Sequence, residues 1–561
     1  RKRHRGILSR EMKPTQIIER VADQAEAWAA LDDAARAKLL RACAQRLHAG
    51  RVGWVQTACR TKGVRPHAKL AGEEWVAGVA VSLRALRLYA ETLEGKRAAD
   101  RLPVRVSPSA RPWVQTFPYG YIESQLMPGM KVEVELEAGA APAQTERRQG
   151  PPGLALILGA GNIDSILVFD FLDQLLRHGR TAVVKLNPVN AAIRAPMEQA
   201  FAPLIEAGYL GFVEGDAEVG AELSVHPRVA AVHLTGSNAS FDAMVWGSDP
   251  LERDRRQAQH EPRVQVPISA ELGAVTPVLV VPGAWSSQDV RRQARQVAAM
   301  AAHNASCNCN AAKLVVTARH WPQREAFLRA LREELAALPA RPSWYPGSRR
   351  RWEEFRAHYP QSEEIAARDT GAAAPGAPEA LPWLFIPEVP LRRAELACRT
   401  EAFSPVLAEC SVAAKTVEEF FERAIDPVNE EVFGTLSCAV LAPPHVPDAL
   451  LDAALDRLEY GTICVNTWPG LAFGLGAPSW GAYPGHSLQS PGSGIDHVHE
   501  TFMLDQVRRS IVRAPFRPSR RPAFDPGHKR LLALGRAWAD WEAKPSLLRL
   551  LRLAIPATFG G

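Results

Sequence analysis

The amino-acid sequence predicts an α/β protein with two doubly wound domains that face a shared cleft. Between residues 153 and 267, and again between 277 and 465, short apolar runs alternate with segments of helical periodicity. This alternation is typical of parallel sheets covered by helices, which bind ligands at the carboxyl ends of their strands. Helical patterns before residue 94 and near the carboxyl end add helices outside the two sheets. A nucleotide is the leading candidate ligand.

Size and composition favour a cytoplasmic, multidomain protein. The 561 residues can bury two or three cores, and 23% charged with 47% hydrophobic residues is ordinary for a globular chain. We find no apolar run of the roughly 18 residues that a membrane span requires and no signal-peptide pattern. The net charge of +6 depends largely on basic ends such as Arg1–Arg5, which argues against a nucleic-acid groove. Because the first methionine is Met12, the preceding residues carry no functional argument.

The eight cysteines are predicted to be reduced thiols. They are scattered through a long chain without a secretion signal, at positions 43, 59, 307, 309, 398, 410, 438 and 464. A structural zinc site needs a second cluster of ligands, and the spacing offers none. We therefore expect no metal.

The first 150 residues combine helices with strands. Apolar residues recur at helical spacing from Ile17 to Glu94. The stretch Trp113–Gly139 then alternates in the manner of strands, most clearly in KVEVELE.

The two α/β regions contain well-defined apolar strands. The first region has LALIL, TAVVKL, GFV, VAAVHL and VQVPIS between helical segments, and the second has PVLVV, LVV, PWLFI and strands near residues 437–441 and 462–465. Helices are predicted at residues 289–302, 324–338 and 417–425.

A polar turn, HNASCNCNAA at His303–Ala312, joins one of these helices to the strand LVV. Thiols are often simply buried. The neighbouring asparagines favour another interpretation, because side-chain amides supply the hydrogen bonds that a thiolate or an oxyanion needs.

This turn resembles the N-x-G-Q-x-C signature of the aldehyde dehydrogenase superfamily, with Cys309 at the position of the nucleophile. Ser306 and Cys307 depart from that signature, and N-C-N-A resembles a long, divergent bacterial branch. Glu271-Leu272-Gly273 resembles the E-L-G-G-K-S-P segment, whose glutamate is the general base. Gly161-Asn162 resembles the end of P-W-N, whose asparagine stabilises an oxyanion.

Further matches concern the cofactor. The turn GAGN at Gly159–Asn162 lacks the third glycine of a dinucleotide fingerprint, whereas Val184-Lys185 resembles the family's V-x-K element. Thr235-Gly236-Ser237 resembles its phosphate turn, and Glu401-Ala-Phe403 resembles E-x-F-G-P, whose glutamate holds the nicotinamide ribose. The resemblance implies NAD or NADP, held by Gly159, Lys185, Asn187, Thr235, Gly236, Ser237, Leu272, Gly273, Glu401 and Phe403.

The implied reaction is oxidation of an aldehyde to a carboxylic acid through a cysteine thiohemiacetal and thioester. Cys309 would be the nucleophile, Glu271 the general base that activates water, and Asn162 an oxyanion donor. Structural alternatives stay open: Glu271 as a surface carboxylate, Asn162 as a helix N-cap, and Glu401 as a partner of Arg399.

Three departures leave other functions open. Phe241 replaces a glycine of the phosphate turn, KLNP leaves no carboxylate at position 188, and Trp480–His486 lacks the family's lysine. One alternative is a CoA-acylating dehydrogenase or acyl-CoA reductase, and another is a non-catalytic structural relative. Cys307 is interpreted as a packing neighbour in preference to a resolving thiol.

The predicted substrate follows from a segment near the carboxyl end. Asn466, Trp468, Leu471 and Phe473 resemble the segment that lines the family's substrate entrance, so we expect a medium to long aliphatic or an aromatic aldehyde.

The predicted partner is a second copy of the chain. Lys131–Gly139 and His497–Val512 occupy the places of the family's subunit-joining strands. KVEVELE alternates valine and leucine with charge, so one face of the strand can be buried while the other stays wet. Because both segments would otherwise expose strand edges, a homodimer or higher homo-oligomer is expected.

Pro545–Phe559 has leucines on one helical face and arginines on the other, and packing onto the protein is favoured over contact with a membrane surface.

The predicted domain organisation has six parts. They are N-terminal helices of the cofactor domain (13–112), a strand and oligomerisation hairpin (113–150), an NAD(P)-binding α/β domain (151–270), a catalytic domain (271–480), a return and oligomerisation strand (481–515) and a C-terminal helical extension (516–561).

Overall fold

The computed structural model describes residues 12–144 and 152–560, so the basic residues Arg1–Arg5 lie outside the described residues. The α-helices are α1 (Pro14–Ala22), α2 (Ala25–Ala30), α3 (Asp33–Thr61), α4 (Val81–Leu93), α5 (Tyr121–Leu126), α6 (Asp164–Leu176), α7 (Arg194–Ala200), α8 (Ala202–Glu206), α9 (Ala217–Ser224), α10 (Asn238–Val245), α11 (Pro250–Gln259), α12 (Ser287–Ala302), α13 (Arg324–Ala337), α14 (Ser348–His358), α15 (Leu396–Arg399), α16 (Val417–Glu431), α17 (Asp448–Arg457), α18 (Pro469–Leu475), α19 (Leu531–Ala543) and α20 (Leu547–Thr558). Shorter helical segments are the π-helix Glu74–Ala80 and 3-10 turns at Lys69–Ala71, Ala99–Arg101, Pro188–Ile193 and His303–Ser306.

The strands are β1 (Val104–Val106), β2 (Pro112–Phe117), β3 (Lys131–Leu136), β4 (Leu154–Leu158), β5 (Thr181–Lys185), β6 (Leu210–Val213), β7 (Val229–Thr235), β8 (Ile268–Glu271), β9 (Thr276–Val280), β10 (Ala312–Ala318), β11 (Glu363–Ile365), β12 (Trp383–Ile386), β13 (Val406–Val412), β14 (Ser437–Leu441), β15 (Thr462–Val465), β16 (Trp480–Gly481), β17 (Gly494–Ile495), β18 (His497–His499) and β19 (Val507–Arg513).

The first α/β region forms a six-stranded sheet in the order β17-β8-β7-β4-β5-β6. Strands β4 to β8 are parallel, and β17 joins antiparallel to β8. The sequences of these strands are continuous apolar runs because helices, among them α6, cover the sheet on its two faces. The predicted parallel, doubly wound sheet is confirmed, although its last strand begins at Ile268 and therefore later than the run VQVPIS suggested.

The second region builds an eleven-stranded sheet in the order β1-β2-β3-β19-β15-β14-β9-β10-β13-β12-β11. Its central strands are parallel, as predicted. Strand β19 adds to β15 in parallel, and β3, β2 and β1 follow in antiparallel pairs. The predicted oligomerisation strands therefore complete the eleven-stranded sheet of their own chain.

Strand β3 corrects one expectation. Its alternation suggested one buried face and one wet face, but Glu133 and Glu135 are each only 1% exposed. Strand β3 lies between β2 and β19, so both of its edges are paired within the sheet. Glu133 is paired with Arg105 and Glu135 with Arg509. The expectation that these strands would leave free edges was wrong.

Helix α5 corrects a second expectation, because its residues lie in the stretch assigned to strands. The helix follows Gly120, whose φ of 91° suits glycine. The Glu123 carboxylate accepts a hydrogen bond from the Tyr119 N–H at 2.8 Å and pairs with Arg84 at 2.7 Å. These contacts stabilise the start of a helix that local alternation did not indicate.

The carboxyl-terminal helices α19 and α20 pack against the amino-terminal helices. Helix α19 lies on the π-helix and on α4, where a Cβ at Gly535 would come within 2.6 Å of Trp75. The Glu542 carboxylate, which is 0% exposed, pairs with Arg84 and Arg87 of α4 at 3.1 and 2.7 Å.

Helix α20 packs onto α19 through Leu553 and Pro556. The expected separation of leucines from arginines was wrong. Leu547 and Leu551 are 74% and 56% exposed, whereas the Arg549 guanidinium turns toward the backbone oxygen of Asp540 at 2.7 Å. Within the described ranges, no helix has the length and apolar character needed to cross a membrane.

Candidate active site

The cysteine turn lies between α12 and β10 and has an unusual backbone. Asn304, Ala305 and Ser306 have φ values of 55°, 55° and 64°, a region that non-glycine residues seldom occupy. The Asn304 amide donates to the backbone oxygens of Asn162 and Cys307 at 3.0 and 2.9 Å. Backbone strain held by surrounding contacts is a recurrent feature of functional sites.

The structure brings Cys309 and Glu271 together. The Cys309 thiol donates to Oε1 of Glu271 with an Sγ–Oε1 distance of 3.5 Å. Glu271 is the last residue of β8 and is 2% exposed, so it is not a surface carboxylate. Cys309 remains partly accessible. A nucleophile and a base within hydrogen-bond reach are the geometry that covalent catalysis needs.

Burial controls the protonation of this pair. It raises the pKa of Glu271 to about 7; Trp480 and the Cys309 thiol act in the opposite direction, and the charge of Asp170 acts in the same direction. Burial, with the charge of Glu271 added, raises the pKa of Cys309 well above its usual value. The resting nucleophile is therefore a thiol, and it needs a base to become a thiolate.

A buried polar network lies behind Glu271. The Thr235 hydroxyl donates to Oδ2 of Asp170 at 3.1 Å, and Nε2 of His233 lies 3.5 Å from Oδ1. Ser269 contacts Nδ1 of His233 at 2.9 Å. Burial opposes protonation of His233, but Asp170 overcomes it and raises the pKa of the imidazole. Sequence reasoning missed this network. The signal that could have indicated it was the presence of Asp170 and His233 inside the apolar runs of α6 and β7.

Asn162 reaches the cysteine turn by its side chain. Its amide donates to the Cys307 backbone oxygen at 3.3 Å, and the following helix has no side-chain cap. The N-cap interpretation is therefore wrong. An oxyanion role for the amide stays a prediction.

Cys307 lies behind the turn, away from Glu271. It is 0% exposed, its sulfur lies 3.5 Å from the Phe403 backbone oxygen, and burial raises its pKa to about 11. Lys313, which sequence reasoning missed, occupies the bulge between β9 and β10 and donates to the Ser306 oxygen at 2.8 Å. The contacts of Cys307 and Lys313 hold the backbone of the cysteine turn in place.

Glu401 faces the same cleft from the other sheet. A Cβ at Gly273 would lie 2.5 Å from its carboxylate, and its Oε1 is buried without a hydrogen-bond partner. Burial raises the pKa of Glu401 to about 7, against the opposing charges of Lys313 and Arg351. No ion pair joins Glu401 to Arg399 within the described chain, so the structure does not support that alternative.

The remaining predicted cofactor residues line the ends of β4, β5 and β7. Lys185 is 7% exposed and has no ion pair in the described segments. A Cβ at Gly161 would lie 2.8 Å from the Asn187 side chain, and Gly159 donates to the Lys185 oxygen at 3.1 Å. Gly236 follows Thr235, and the Ser237 hydroxyl accepts a hydrogen bond from the Ser240 N–H at 3.2 Å.

Phe241 and the segment after Trp480 modify this region. Phe241 is 0% exposed and belongs to the core beneath α10. The Asn238 amide donates to the Gly492 oxygen at 2.8 Å, and Leu272 N–H donates to the Ser493 oxygen at 2.7 Å. A carboxyl-terminal loop thus holds both the phosphate turn and the segment after Glu271.

Three predicted substrate residues border a cavity of about 50 Å³ near Cys309, namely Trp468, Leu471 and Phe473. Trp468 donates to the Asn310 oxygen at 2.8 Å, which fixes its ring. Asn466 instead holds both backbone groups of Ala442, at 2.9 and 3.0 Å, so its amide serves a turn. The cavity also contacts Phe524 and Trp538 of the C-terminal extension, which the sequence did not indicate.

All eight cysteines are free thiols. Among the described residues, no group of three or more His, Cys, Asp or Glu side chains is placed to hold a metal ion.

Comparison with known proteins identifies the fold family. A sequence model of the aldehyde dehydrogenase family matches residues 133–481. No curated protein sequence matches the chain.

Solved structures share its fold. A gamma-glutamyl-gamma-aminobutyraldehyde dehydrogenase from Burkholderia cenocepacia is 17% identical with a TM-score of 0.62, over 89% of this chain and 87% of that one. A Mycobacterium tuberculosis aldehyde dehydrogenase complexed with NAD+ is 18% identical with a TM-score of 0.61, over 88% of each chain. An NADP-dependent glyceraldehyde-3-phosphate dehydrogenase from Bacillus halodurans, complexed with NADP, is 16% identical with a TM-score of 0.57, over 89% and 90%.

The family match covers strands β4 to β16, the cysteine turn and the Glu271 segment, and the chain belongs to the aldehyde dehydrogenase family.

Proposed function

We propose that this chain oxidises an aldehyde to a carboxylic acid with NAD or NADP, using Cys309 as the nucleophile and Glu271 as the base. The observation that carries the proposal is the 3.5 Å contact between the Cys309 sulfur and the buried Glu271 carboxylate. It supplies a nucleophile, a proton acceptor and partial exclusion of water in one place.

The reaction begins with proton transfer. Glu271 takes the thiol proton as the sulfur bonds to the carbonyl carbon, which gives a thiohemiacetal alkoxide. The Asn162 amide and the Cys309 backbone N–H donate to this oxygen. When the alkoxide collapses, hydride leaves the carbon and a thioester remains on Cys309. After its proton passes to solvent, Glu271 deprotonates a water that attacks the thioester, the C–S bond breaks, and the acid departs.

The residues of the cleft suit a nicotinamide dinucleotide, whose chemistry here is to accept the hydride. The unpaired Lys185 amine and Asn187 would hold the adenosine ribose, and the amino end of α10 at Ser237 would hold the phosphates. The unpartnered Oε1 of Glu401 is a hydrogen-bond acceptor for the nicotinamide ribose. Because position 188 is Pro188, no carboxylate there repels the 2′-phosphate of NADP.

Calorimetric titration with each cofactor tests this part. Micromolar binding of NAD or NADP is expected. Binding of neither would favour the non-catalytic alternative.

Hydrolysis is favoured over acyl transfer to CoA because a buried carboxylate stands beside the nucleophile, where it can activate water. Acid formation should proceed without CoA. Strict dependence on CoA would contradict the proposed hydrolytic step.

The direct test compares two cysteines of one turn. Cys309→Ala should abolish turnover and leave thermal unfolding and cofactor affinity unchanged. Cys307→Ala is the matched control, because its sulfur contacts backbone oxygens away from Glu271, and it should retain activity. Activity that survives in the first variant and disappears in the second would assign the nucleophile to Cys307.

A homodimer and a cytoplasmic location complete the proposal. The predicted joining strands are paired within the chain, so a dimer would use the sheet edge formed by β1, where Val106 is 69% exposed. Light scattering should give about twice the chain's 61.3 kDa. A single-chain mass at micromolar concentration would contradict it.

A further inference from the structure

Two cavities lie on either side of the C-terminal extension and share part of their walls. The inner cavity, about 50 Å³, is the one bordered by Trp468 and Phe473. The outer cavity, about 160 Å³, lies between α5 and the helices α19 and α20. Four residues line both, namely Leu471, Ala523, Phe524 and Trp538. The two cavities therefore meet at one apolar junction.

The inner cavity ends beside the nucleophile. Asn308 lines it, and Oδ1 of Asn308 is 3.9 Å from the Cys309 sulfur. Apolar walls come from Val81, Ile163 and Phe473.

The outer cavity adds an apolar chamber beyond the junction. Its walls include Met127, Met130, Leu534, Leu553 and Ala557. The charged groups on its wall are engaged with protein. Arg84 pairs with Glu123 and Glu542, Arg521 pairs with Asp525, and Arg520 donates to the Leu126 backbone oxygen. This chemistry suits an uncharged hydrocarbon chain better than a charged group.

The junction is held in place by hydrogen bonds from both sides. The Trp538 indole donates to Oε1 of Glu542 at 3.0 Å, and Trp468, fixed to the Asn310 oxygen, packs on Phe524 with ring centroids 5.3 Å apart. Phe524 and Trp538 of the extension are therefore held in fixed positions at the boundary between the two cavities.

Because the two cavities share the apolar wall formed by Leu471, Ala523, Phe524 and Trp538, we infer that the substrate is an aldehyde with a long, uncharged alkyl chain. The chain runs from Cys309 through the inner cavity, passes Phe524 and Trp538, and lies in the outer cavity beneath α20. This inference rests on the proposed function for the position of the aldehyde carbon. The chamber's affinity for alkyl chains requires no chemistry and can be measured separately.

The test uses straight-chain primary alcohols from butanol to decanol as unreactive probes, titrated calorimetrically into the full chain. Each added methylene that enters an apolar cavity should raise affinity by up to about fourfold. Ala557→Trp and Ala554→Trp each place an indole in the outer cavity and should weaken decanol binding at least tenfold, with a smaller effect on butanol. Ile555→Trp is the matched control, because Ile555 is 53% exposed on the opposite face of α20, and it should bind decanol as the native chain does.

Thermal unfolding shows whether each cavity variant is folded. Because two positions are tested, the experiment can still be interpreted if one of the variants does not fold. Equal affinity for butanol and decanol would overturn the inference, as would unchanged decanol binding in both folded cavity variants. Propanal turnover is measured in parallel. Turnover with a flat alcohol series would reject the chamber and leave the proposed function standing, whereas chain-length-dependent binding without turnover of any aldehyde would reject the function and leave the chamber.

Discussion

The pair formed by Cys309 and Glu271, here called the catalytic corner, lies on the opposite wall of the two cavities from the C-terminal extension. The corner and the extension differ in how they relate to the family match. Cys309 and Glu271 fall inside the matched residues 133–481, whereas Phe524 and Trp538 fall beyond them. The corner depends on two side chains held at the ends of a turn and a strand. The extension depends on the ion pairs of Glu542 with Arg84 and Arg87, which attach it to helix α4 near the amino end of the chain.

Under the proposed function, the catalytic corner carries out the chemistry and the extension selects among substrates. Burial of a carboxylate beside a thiol suffices to prepare proton transfer, and it needs no particular substrate. The extension supplies no reacting group, but its residues line both cavities and would, under the proposal, set the shape and polarity of the space for the substrate. Changes in the corner should therefore alter the rate for every aldehyde, and changes in the extension should alter stability and preference among aldehydes.

The largest expected effect comes from removing the base. Glu271→Gln should lower kcat by about 10²–10⁴-fold, because the amide cannot accept the proton of Cys309 or of water. Glu500→Gln is a matched control: burial raises the pKa of Glu500 to about 7 as well, but its carboxylate accepts backbone N–H groups of Phe502 and Leu504. If steady-state kinetics gave equal losses for both variants, the assignment of Glu271 would fail.

Breaking the anchor of the extension should have the next largest effect. Glu542→Ala leaves the Arg84 and Arg87 guanidinium groups buried beside an empty site, and should lower the free energy of unfolding by about 3–5 kcal/mol. Glu94→Ala removes the partner of the more exposed Arg41 and should cost at most about 1 kcal/mol. Urea unfolding measures both. Equal losses would mean that burial of the Glu542 cluster contributes nothing.

A smaller effect concerns the pH dependence of the corner. Glu271 acts as a base only when ionised, so the rate should fall as pH drops through its pKa of about 7. The charge of Asp170 raises that pKa, and Asp170→Asn should therefore move the acidic limb of the kcat profile to lower pH. A limb that moves to higher pH, or that persists unchanged in Glu271→Gln, would show that another group is titrating.

The sequence predicted the corner well because its features are local. A base at the end of a strand and a nucleophile in a short polar turn can be identified from neighbouring residues, and parallel strands then bring them to one edge. Trp468 and Leu471, which were predicted in the same way, border the inner cavity, and Asn466 lines the outer cavity; their substrate roles stay predictions. The sequence did not indicate that the Asn466 amide also holds the Ala442 backbone, because that demand for partners is not visible locally.

Non-local pairings could not be predicted. Glu542 and Arg84 are 458 positions apart, and no periodicity within either segment indicates that they meet. Strand β3 alternates like a half-exposed strand, but β19 covers its free edge and arginines neutralise its glutamates. Asp170 and His233 likewise gain their role only from proximity across α6 and β7.

In the proposed mechanism, Cys309 carries the acyl group and Glu271 activates the water that releases it. These roles are tested by mass spectrometry of the Glu271→Gln chain after incubation with cofactor and an aldehyde, followed by digestion. An acyl adduct should accumulate on Cys309 in this variant and be absent from Cys307. The reason is that a thiol loses its proton to solvent more readily than water does, so removal of the base slows hydrolysis of the thioester more than its formation. An adduct on Cys307, or continued acid production with no adduct on Cys309, would contradict these roles.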